Sequence, residues 1–279
     1  MENAKASKLE RPVPAVAAVV GGLRLHEFSS RIYRNTRMLR VWLPPDYDMP
    51  ENAARHYPVF YLNDGQNLFD PATAFAGMDW QVDETADRLI REGRIDPLII
   101  VGIDNAQGDR IKEFLPYRSF SPPVLRPQGK RYPDFLMNEV MPFVYERYRI
   151  ARGPENTGLG GSSLGALISL YTALDRPGIF GRLLLESPSL FVSSRRILKY
   201  SRYFRQWPER IVIGVGTREA GREDKDRQVV EDVRELQHIL QHAGLGDDRL
   251  RVRIDVGAAH NEAEWGKRFP EALSFLFAK

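Results

Sequence analysis

The chain has 279 residues, of which 43% are apolar, enough to bury the core of a sizeable domain. It contains no cysteine, which excludes disulfides, thiolate catalysis and cysteine-based metal sites. The sequence has no run of about 18 apolar residues, so it predicts no membrane-spanning helix. The formal net charge of +3 comes with arginines that alternate with acids, so we expect a mixed-charge surface, no nucleic-acid partner and no membrane association.

Residues 1–20 are predicted to form a loose N-terminal tail. The apolar piece at residues 15–20 is short and follows two prolines, which is a poor match to a signal peptide. We therefore expect a cytoplasmic location. Residues 21–279 show no repeat and no low-complexity linker, and are predicted to form one domain.

Strand and helix patterns alternate along this domain. The segment "LRLHEFSSRIYRNTRMLRVWLP" predicts an antiparallel hairpin. Later apolar runs predict buried strands of a parallel sheet: "YPVFYLNDGQ", "DPLIIVGIDNA", "NTGLGGS", "RLLLESPS", "ERIVIGVGTRE" and "LRVRIDVGAAH". Helical spacing predicts helices in "DWQVDETADRLIREG", "YPDFLMNEVMPFVYERY", "SLGALISLYTALDRPG", "DKDRQVVEDVRELQHILQHAG" and "EAEWGKRFPEALSFLFA". About eight strands in this order predict an α/β-hydrolase fold, with helices on both faces of a mostly parallel sheet.

The pentapeptide "GSSLG" follows one of these strands and opens a helix. It fits the pattern G-x-S-x-G with Ser163 at the centre, whereas Ser162 would need glycine at position 164. Such a strand-to-helix turn exposes the serine hydroxyl and directs the next backbone N–H, that of Leu164, into an oxyanion hole. A packed glycine-rich turn without chemistry is the alternative, but the strand before and the helix after it favour a nucleophile.

A nucleophilic serine needs a base, and the base needs an orienting acid. His260 is the candidate base, because it follows both the serine and the last strand. His26 and His56 precede the serine, and His238 and His242 lie in a charged helix.

The orienting acid is expected after the strand that precedes the last one. Glu219 stands there, in "VGTRE". Asp224 and Asp226 are the alternatives, although both read as first-turn acids of the following helix. Asp255 lies within a strand and fits less well.

The second oxyanion donor is expected in the loop after the third strand. That loop is "YLNDGQNLFD", in which Gly65 permits a tight turn and the N–H of Gln66 would face the serine. A purely structural Asn-Asp-Gly turn is the alternative.

Several long segments in one order resemble the putative-esterase family of α/β-hydrolases. They are "YLNDGQNLFD", "DWQVDETADRLIREGRIDPLIIVGIDN", "DRIKEFLPY", "GLGGSSLGALISLY", "VGTRE" and "GAAHNEAEWGKRFPEALSFLF". The family includes enterochelin esterases, feruloyl esterases, S-formylglutathione hydrolase and mycolyltransferases.

The resemblance implies that Ser163 is the nucleophile, His260 the base and Glu219 the acid. It supports Gln66 and Leu164 as oxyanion donors. It also implies that Asp64 touches the substrate, as the matching position does in the mycolyltransferases. Many hydrolases have His-Gly at this turn, where this chain has Asp-Gly. The implied reaction is acyl transfer from an ester to water, without a metal or organic cofactor.

Candidate pocket residues lie in segments that follow strand ends or lead into a helix. They are Phe69, Trp80, Asn105, Arg110, Glu113 and Tyr117. The long, proline-rich segment "AQGDRIKEFLPYRSFSPPVLRPQGKRYP" could form a pocket wall, since long loops at this edge tend to be functional. In the structural alternative, Asp109, Arg110 and Glu113 form an ion-pair network that holds this loop, and Trp80 only anchors its helix.

The predicted function is a serine carboxylic-ester hydrolase acting on a small aryl, sugar or siderophore-type ester. An acyltransferase that passes the acyl group to an alcohol is the first alternative. A non-catalytic binding protein on a hydrolase fold is the second, and the complete set of Ser163, Glu219 and His260 counts against it.

Overall fold

The computed structural model describes residues 19–120 and 123–278. Its strands are β1 (Gly22–Ser30), β2 (Asn35–Leu43), β3 (Val59–Asn63), β4 (Ile99–Ile103), β5 (Ser119–Phe120), β6 (Pro123–Val124), β7 (Thr157–Ser162), β8 (Arg182–Glu186), β9 (Arg210–Arg218) and β10 (Leu250–Ala259). Its α-helices are α1 (Val82–Arg91), α2 (Arg110–Phe114), α3 (Tyr132–Phe135), α4 (Met141–Arg147), α5 (Leu164–Asp175), α6 (Val192–Ser201), α7 (Glu223–His242) and α8 (Glu262–Leu276).

Within the described ranges, eight strands form one sheet in the order β1-β2-β4-β3-β7-β8-β9-β10. Strand β2 runs antiparallel to both β1 and β4. From β4 to β10 all neighbouring strands are parallel. The predicted N-terminal hairpin and the predicted mostly parallel sheet of about eight strands are both confirmed.

The central strands are apolar throughout because both faces of the sheet are covered. Val59 and Tyr61 of β3 pack into a core with α3, α4, α5 and α7 on one face. Phe60 and Leu62 of the same strand pack into a second core with α1 and α8 on the other face. The same alternation recurs in β4, β8 and β9, so helices on opposite faces hold the sheet between them.

Some elements were not predicted. The long segment after β4 contains the short helix α2 and the hairpin β5–β6, and α6 follows β8. The helix predicted at residues 132–148 is one continuous run that ends at Arg147, and a π-helical turn, Leu136–Val140, joins α3 to α4 within it. Pro142 stands in the first turn of α4 and has no N–H to donate, which accounts for the altered hydrogen-bond spacing before it.

Residues 1–18 of the predicted N-terminal tail lie outside the described residues. Val20 is bonded into the fold: its N–H donates to Asp83 Oδ2 at 2.7 Å and its carbonyl accepts from Trp42 Nε1 at 2.7 Å. The single-domain assignment of residues 21–279 stays a prediction. Among the described residues, no helix combines the length and apolarity that a bilayer crossing requires.

The carboxyl ends of the parallel strands meet at one edge of the sheet. Asp64 follows β3, Ser163 follows β7, and Ser187 follows β8. Glu219 follows β9, and His260 follows β10. Residues from five separate strand ends are therefore carried to the same edge, where the candidate site lies.

Candidate active site

Ser163 occupies the sharp turn between β7 and α5. Its backbone has φ 57° and ψ −121°, a conformation that costs free energy for any residue with a side chain. The neighbouring strand β8 holds the turn in place, since the Ser163 N–H donates to the Glu186 carbonyl at 2.8 Å. A Cβ at Gly165 would stand 3.0 Å from Asp64 Oδ2 and 3.2 Å from the Asn63 side chain, so glycine allows β3 and α5 to approach closely.

Asn63, the last residue of β3, ties the neighbouring strand to this turn. Its buried amide nitrogen donates to the Gly160 and Gly165 carbonyls, both at 3.2 Å, and to Ser169 Oγ at 2.9 Å. Its amide oxygen accepts from the Tyr132 hydroxyl. The segment that carries Ser163 is thus fixed by a buried polar network in addition to apolar packing.

His260 lies on the turn between β10 and α8. Its Nδ1 is 2.5 Å from Glu219 Oε2. The imidazole is 34% exposed, whereas the Glu219 side chain is only 2% exposed. A carboxylate bound to Nδ1 keeps the Nδ1–H tautomer and leaves Nε2 free to accept a proton.

Glu219 has a pKa below its usual value. Burial by itself raises the pKa, but the bond from His260 and the donors on Oε1 outweigh it. Those donors are the Gly216 N–H at 2.6 Å and the Ser187 hydroxyl at 2.8 Å. Because each bond stabilises the charged form, the carboxyl is ionised at neutral pH and can stabilise an imidazolium.

The Ser163 hydroxyl is partly exposed and lies 3.2 Å from Ser189 Oγ. Among the described residues, no hydrogen bond within 3.5 Å joins Ser163 Oγ to His260. Catalytic serine–histidine bonds are often long in ligand-free sites and tighten when substrate binds. The structure thus brings His260 and Glu219 into direct contact and sets Ser163 at the same edge of the sheet.

The alternative acids make other contacts. Asp224 pairs with the exposed Arg222 at 3.0 Å. Asp226 accepts from the Ala220 N–H at 2.6 Å, and Asp255 pairs with Arg253 at 2.7 Å. The remaining histidines also lie elsewhere: His26 meets the Tyr148 hydroxyl, His238 and His242 face each other on α7, and His56 is exposed.

A one-turn 3₁₀ helix, Gly65–Asn67, follows directly after Asp64. A Cβ at Gly65 would stand 2.5 Å from the Gly102 carbonyl carbon, so only glycine lets this turn pack against β4. Asp64 holds φ 59°, in the left-handed region. The N–H groups of Gln66 and Leu164 each lie in a first helical turn, where backbone donors have no acceptor within the helix.

Three of the predicted pocket residues form one network. Asn105 Nδ2 donates to Asp64 Oδ1 at 2.7 Å, and Arg110 contacts both Asp64 carboxylate oxygens at 2.7 Å. The Asn105 N–H reaches the Gln66 side-chain oxygen at 3.2 Å. The Asp64 side chain is 4% exposed and the Arg110 side chain is 24% exposed, so the arginine is more accessible to a ligand than the carboxylate it binds.

The other predicted pocket residues do not join this network. Phe69 and Trp80 are 1% exposed and belong to the core between the sheet, α1 and α8. Glu113 is buried against Arg37 at 2.9 Å, not in the ion-pair network weighed for Asp109 and Arg110. Tyr117 is partly exposed and packs edge-on against Tyr171. A binding role for these four residues stays a prediction.

Sequence reasoning missed Ser187, Ser189, Trp265 and Glu262. Trp265 Nε1 donates to Ser187 Oγ at 2.9 Å, and its ring packs edge-on against His260 at 5.0 Å. Glu262 is buried and accepts from the Asn67 amide at 3.1 Å. Burial raises its pKa. The signal for the serines was present in "LLLESPS", where polar residues follow a buried parallel strand.

The described residues contain one cluster of carboxylates that could hold a metal ion. Asp79, Asp83 and Glu84 group their carboxylates at the start of α1. The cluster includes neither Ser163 nor His260, so it does not take part in the arrangement described above.

Comparison with known proteins identifies the family of the chain. A family model described as "Putative esterase" matches residues 29–276. The chain belongs to this family. It is therefore an enzyme that acts as an esterase. It is 25% identical over 255 residues to the uncharacterized protein YbbA of Bacillus subtilis (strain 168), a match covering 87% of this chain and 93% of YbbA.

Solved structures extend the likeness to the whole fold. The enterobactin esterase FES from Shigella flexneri superposes with a TM-score of 0.71 at 19% identity, covering 94% of this esterase and 60% of that chain. This esterase thus spans less than two thirds of FES. The siderophore hydrolase EstB from Aspergillus nidulans gives a TM-score of 0.68 at 17% identity, covering 94% and 96%. The predicted α/β-hydrolase fold is confirmed.

Proposed function

We propose that this esterase is a serine carboxylic-ester hydrolase with Ser163 as nucleophile, His260 as base and Glu219 as acid. The observation that carries the proposal is the 2.5 Å contact between His260 Nδ1 and the buried Glu219 carboxylate, at the sheet edge where Ser163 occupies a strained strand-to-helix turn. A buried carboxylate that orients a partly exposed imidazole, at the same sheet edge as such a serine, supplies the acid and the base that nucleophilic catalysis needs.

In the first half of the reaction, Ser163 Oγ attacks the ester carbonyl carbon and its proton passes to His260 Nε2. The N–H groups of Gln66 and Leu164 hold the oxyanion, and each such donor is worth about 10²–10³ in rate. When the tetrahedral intermediate collapses, the bond to the leaving alcohol breaks and His260 protonates that alcohol. Water then attacks the acyl-serine with His260 as base, which releases the acid and restores the serine.

The substrate is a small ester of an aryl, sugar or siderophore type. FES and EstB, which share the fold, are described as acting on enterobactin and on siderophores, and these descriptions support that class. Asp64, Asn105 and Arg110 lie beside the Gln66 turn and supply polar contacts to the substrate. Tyr117, on the long segment after β4, supplies an aromatic surface.

The test is a panel of esters assayed with wild type and Ser163→Ala: p-nitrophenyl acetate, butyrate and octanoate, methyl ferulate, and an acetylated sugar. We expect hydrolysis of at least one class by the wild type and loss of turnover in Ser163→Ala with an unchanged melting temperature. Retained turnover in pure, folded Ser163→Ala would remove the serine assignment. If no ester were hydrolysed although a fluorophosphonate labelled Ser163, the acyltransferase alternative would replace hydrolysis.

A further inference from the structure

Two serines in the turn after β8 contact opposite ends of the candidate triad. Ser187 Oγ donates to Glu219 Oε1 at 2.8 Å. Ser189, two positions later, places its Oγ 3.2 Å from Ser163 Oγ. Only Pro188 separates them, so one short turn touches both the acid and the nucleophile.

The turn itself is held rigidly. Ser187 has φ 43°, in the left-handed region, and its N–H donates to the Gly214 carbonyl on β9 at 2.7 Å. The Ser189 N–H donates to the Ser163 carbonyl at 3.2 Å. Ser187 is 1% exposed and Ser189 is 6% exposed. Because backbone hydrogen bonds hold both serines in place, the position from which each hydroxyl group extends is fixed.

At the acid end, the direction of each bond is determined by chemistry. The indole N–H of Trp265 can only donate, and it donates to Ser187 Oγ at 2.9 Å. The Ser187 proton is therefore directed to Glu219 Oε1. With the Gly216 N–H on the same oxygen at 2.6 Å, Oε1 is fully engaged and Oε2 faces His260. The ring of Trp265 also packs edge-on against the imidazole.

At the nucleophile end, Ser189 has the matching role. In the resting site either serine can donate to the other. Once the Ser163 proton has moved to His260 Nε2, only the Ser189 hydroxyl still carries a proton between the two oxygens. Ser189 then donates to Ser163 Oγ while that atom is electron-rich, and it holds the oxygen in the orientation from which attack occurs.

We propose that Ser187 and Ser189 are positioning residues, Ser187 for the Glu219–His260 pair and Ser189 for Ser163. This inference rests on the proposed function, because it assumes that Ser163 is the nucleophile. Neither serine forms or breaks a covalent bond in the reaction. The polar turn residues 187–189 thus serve to orient the triad, and a merely structural turn would not need both hydroxyl groups.

The experiment compares Ser187→Ala, Ser189→Ala and the control Ser201→Ala. Ser201 is a buried serine on α6 whose hydroxyl bonds to the Ile197 carbonyl at 2.9 Å. The first readout is the rate of covalent labelling of Ser163 by a fluorophosphonate, which needs no knowledge of the natural ester. We expect labelling to fall about 10- to 100-fold in Ser187→Ala and about two- to tenfold in Ser189→Ala. Ser201→Ala should stay within about twofold of wild type.

The second readout is the pH profile of kcat/KM on whichever ester the panel identifies. In Ser187→Ala the carboxylate loses a donor and pairs more strongly with the imidazolium, so the acid limb should move to higher pH. Glu262 interacts electrostatically with the imidazole and Glu186 with the Glu219 carboxylate, and the change alters neither residue. Trp265→Phe keeps an aromatic side chain but removes the N–H that donates to Ser187, and should move the acid limb in the same direction by less. If Ser187→Ala does not fold, the Trp265→Phe variant tests the positioning of the Glu219–His260 pair instead.

Ser189→Thr keeps the hydroxyl and should recover most of the labelling rate that Ser189→Ala loses. Labelling of both alanine variants within about twofold of wild type, with unchanged pH profiles, would overturn the inference and leave the proposed function standing. No labelling of Ser163 in the wild type would overturn both. Labelling without ester hydrolysis would remove only the hydrolase, and the labelling rates would still decide the roles of the two serines.

Discussion

Replacing Glu219 by glutamine tests the acid because the two side chains have the same shape. In the wild type, Oε1 accepts the Gly216 N–H and the Ser187 hydroxyl, and Oε2 faces His260 Nδ1. A glutamine must turn its only oxygen towards the two donors, since its amide group cannot accept them. Its NH₂ then faces His260, and the neutral imidazole can meet it only by exposing an unprotonated Nδ1. The proton moves to Nε2, where the base has to accept the proton of Ser163.

We expect this wrong tautomer to lower kcat by about 10³- to 10⁴-fold, as happens when the acid of a serine triad is made neutral without a change of shape. Such a loss is about 4–5.5 kcal/mol of transition-state stabilisation. Initial rates on p-nitrophenyl acetate at neutral pH, with the melting temperature as folding control, give the measurement. KM should change little, because the substrate does not touch this carboxylate.

The matched control is Asp224→Asn, which neutralises an acid five positions later that pairs only with exposed Arg222. It should keep kcat within about twofold, because a single exposed ion pair contributes about 0–1 kcal/mol. A folded Glu219→Gln enzyme that keeps more than about a tenth of wild-type kcat would refute the tautomer argument. A large loss in Asp224→Asn instead would transfer the acid role to that residue.

Two further variants test the packing around the site, and a third tests how the stability of the fold depends on pH. Gly65→Ala should lower kcat about 10²- to 10³-fold, the value of one oxyanion donor, because its Cβ would stand 2.5 Å from the backbone of β4; rates equal to wild type would contradict this. Asn63→Ala should lower the free energy of unfolding in urea by about 2–4 kcal/mol, because several buried polar groups lose their partner, and replacing the exposed Asn138 by alanine should cost under about 0.5 kcal/mol. Burial, with a hydrogen bond to the neighbouring glutamate, raises the pKa of Asp83 from 3.8 to about 8. Between these values the folded chain binds the proton more tightly than the unfolded chain, so this contribution to stability decreases as pH rises. Asp83→Asn should flatten that decrease in melting temperature, the exposed Asp48→Asn should not, and equal slopes in both variants would refute the assignment.

Local pattern was enough for the strands and for most of the helices. A parallel strand covered on both faces must be apolar at nearly every position, and the segments "PLIIVGI" and "RLLLE" are mostly apolar. The turn at Ser163 could also be predicted from the sequence, because a glycine two positions on either side of Ser163 lets β7 and α5 approach closely. The π-helical turn before Pro142 and the hairpin β5–β6 were not, since both depend on how a long segment packs against its surroundings.

By itself, therefore, the sequence determined the order of strands and helices, the position of Ser163 on a strand-to-helix turn, and the order of Ser163, Glu219 and His260 along the chain. Only the tertiary structure showed which of the acids after β9 contacts His260, because proximity to His260 depends on how β9 and β10 align. It also showed that Trp80 and Glu113 are each 1% exposed, a degree of burial that their positions in the sequence did not indicate. Hydrogen bonds between residues tens of positions apart, such as Ser187 to Glu219, have no local signature, because the distance between two strand ends is decided by sheet pairing and not by spacing in the chain.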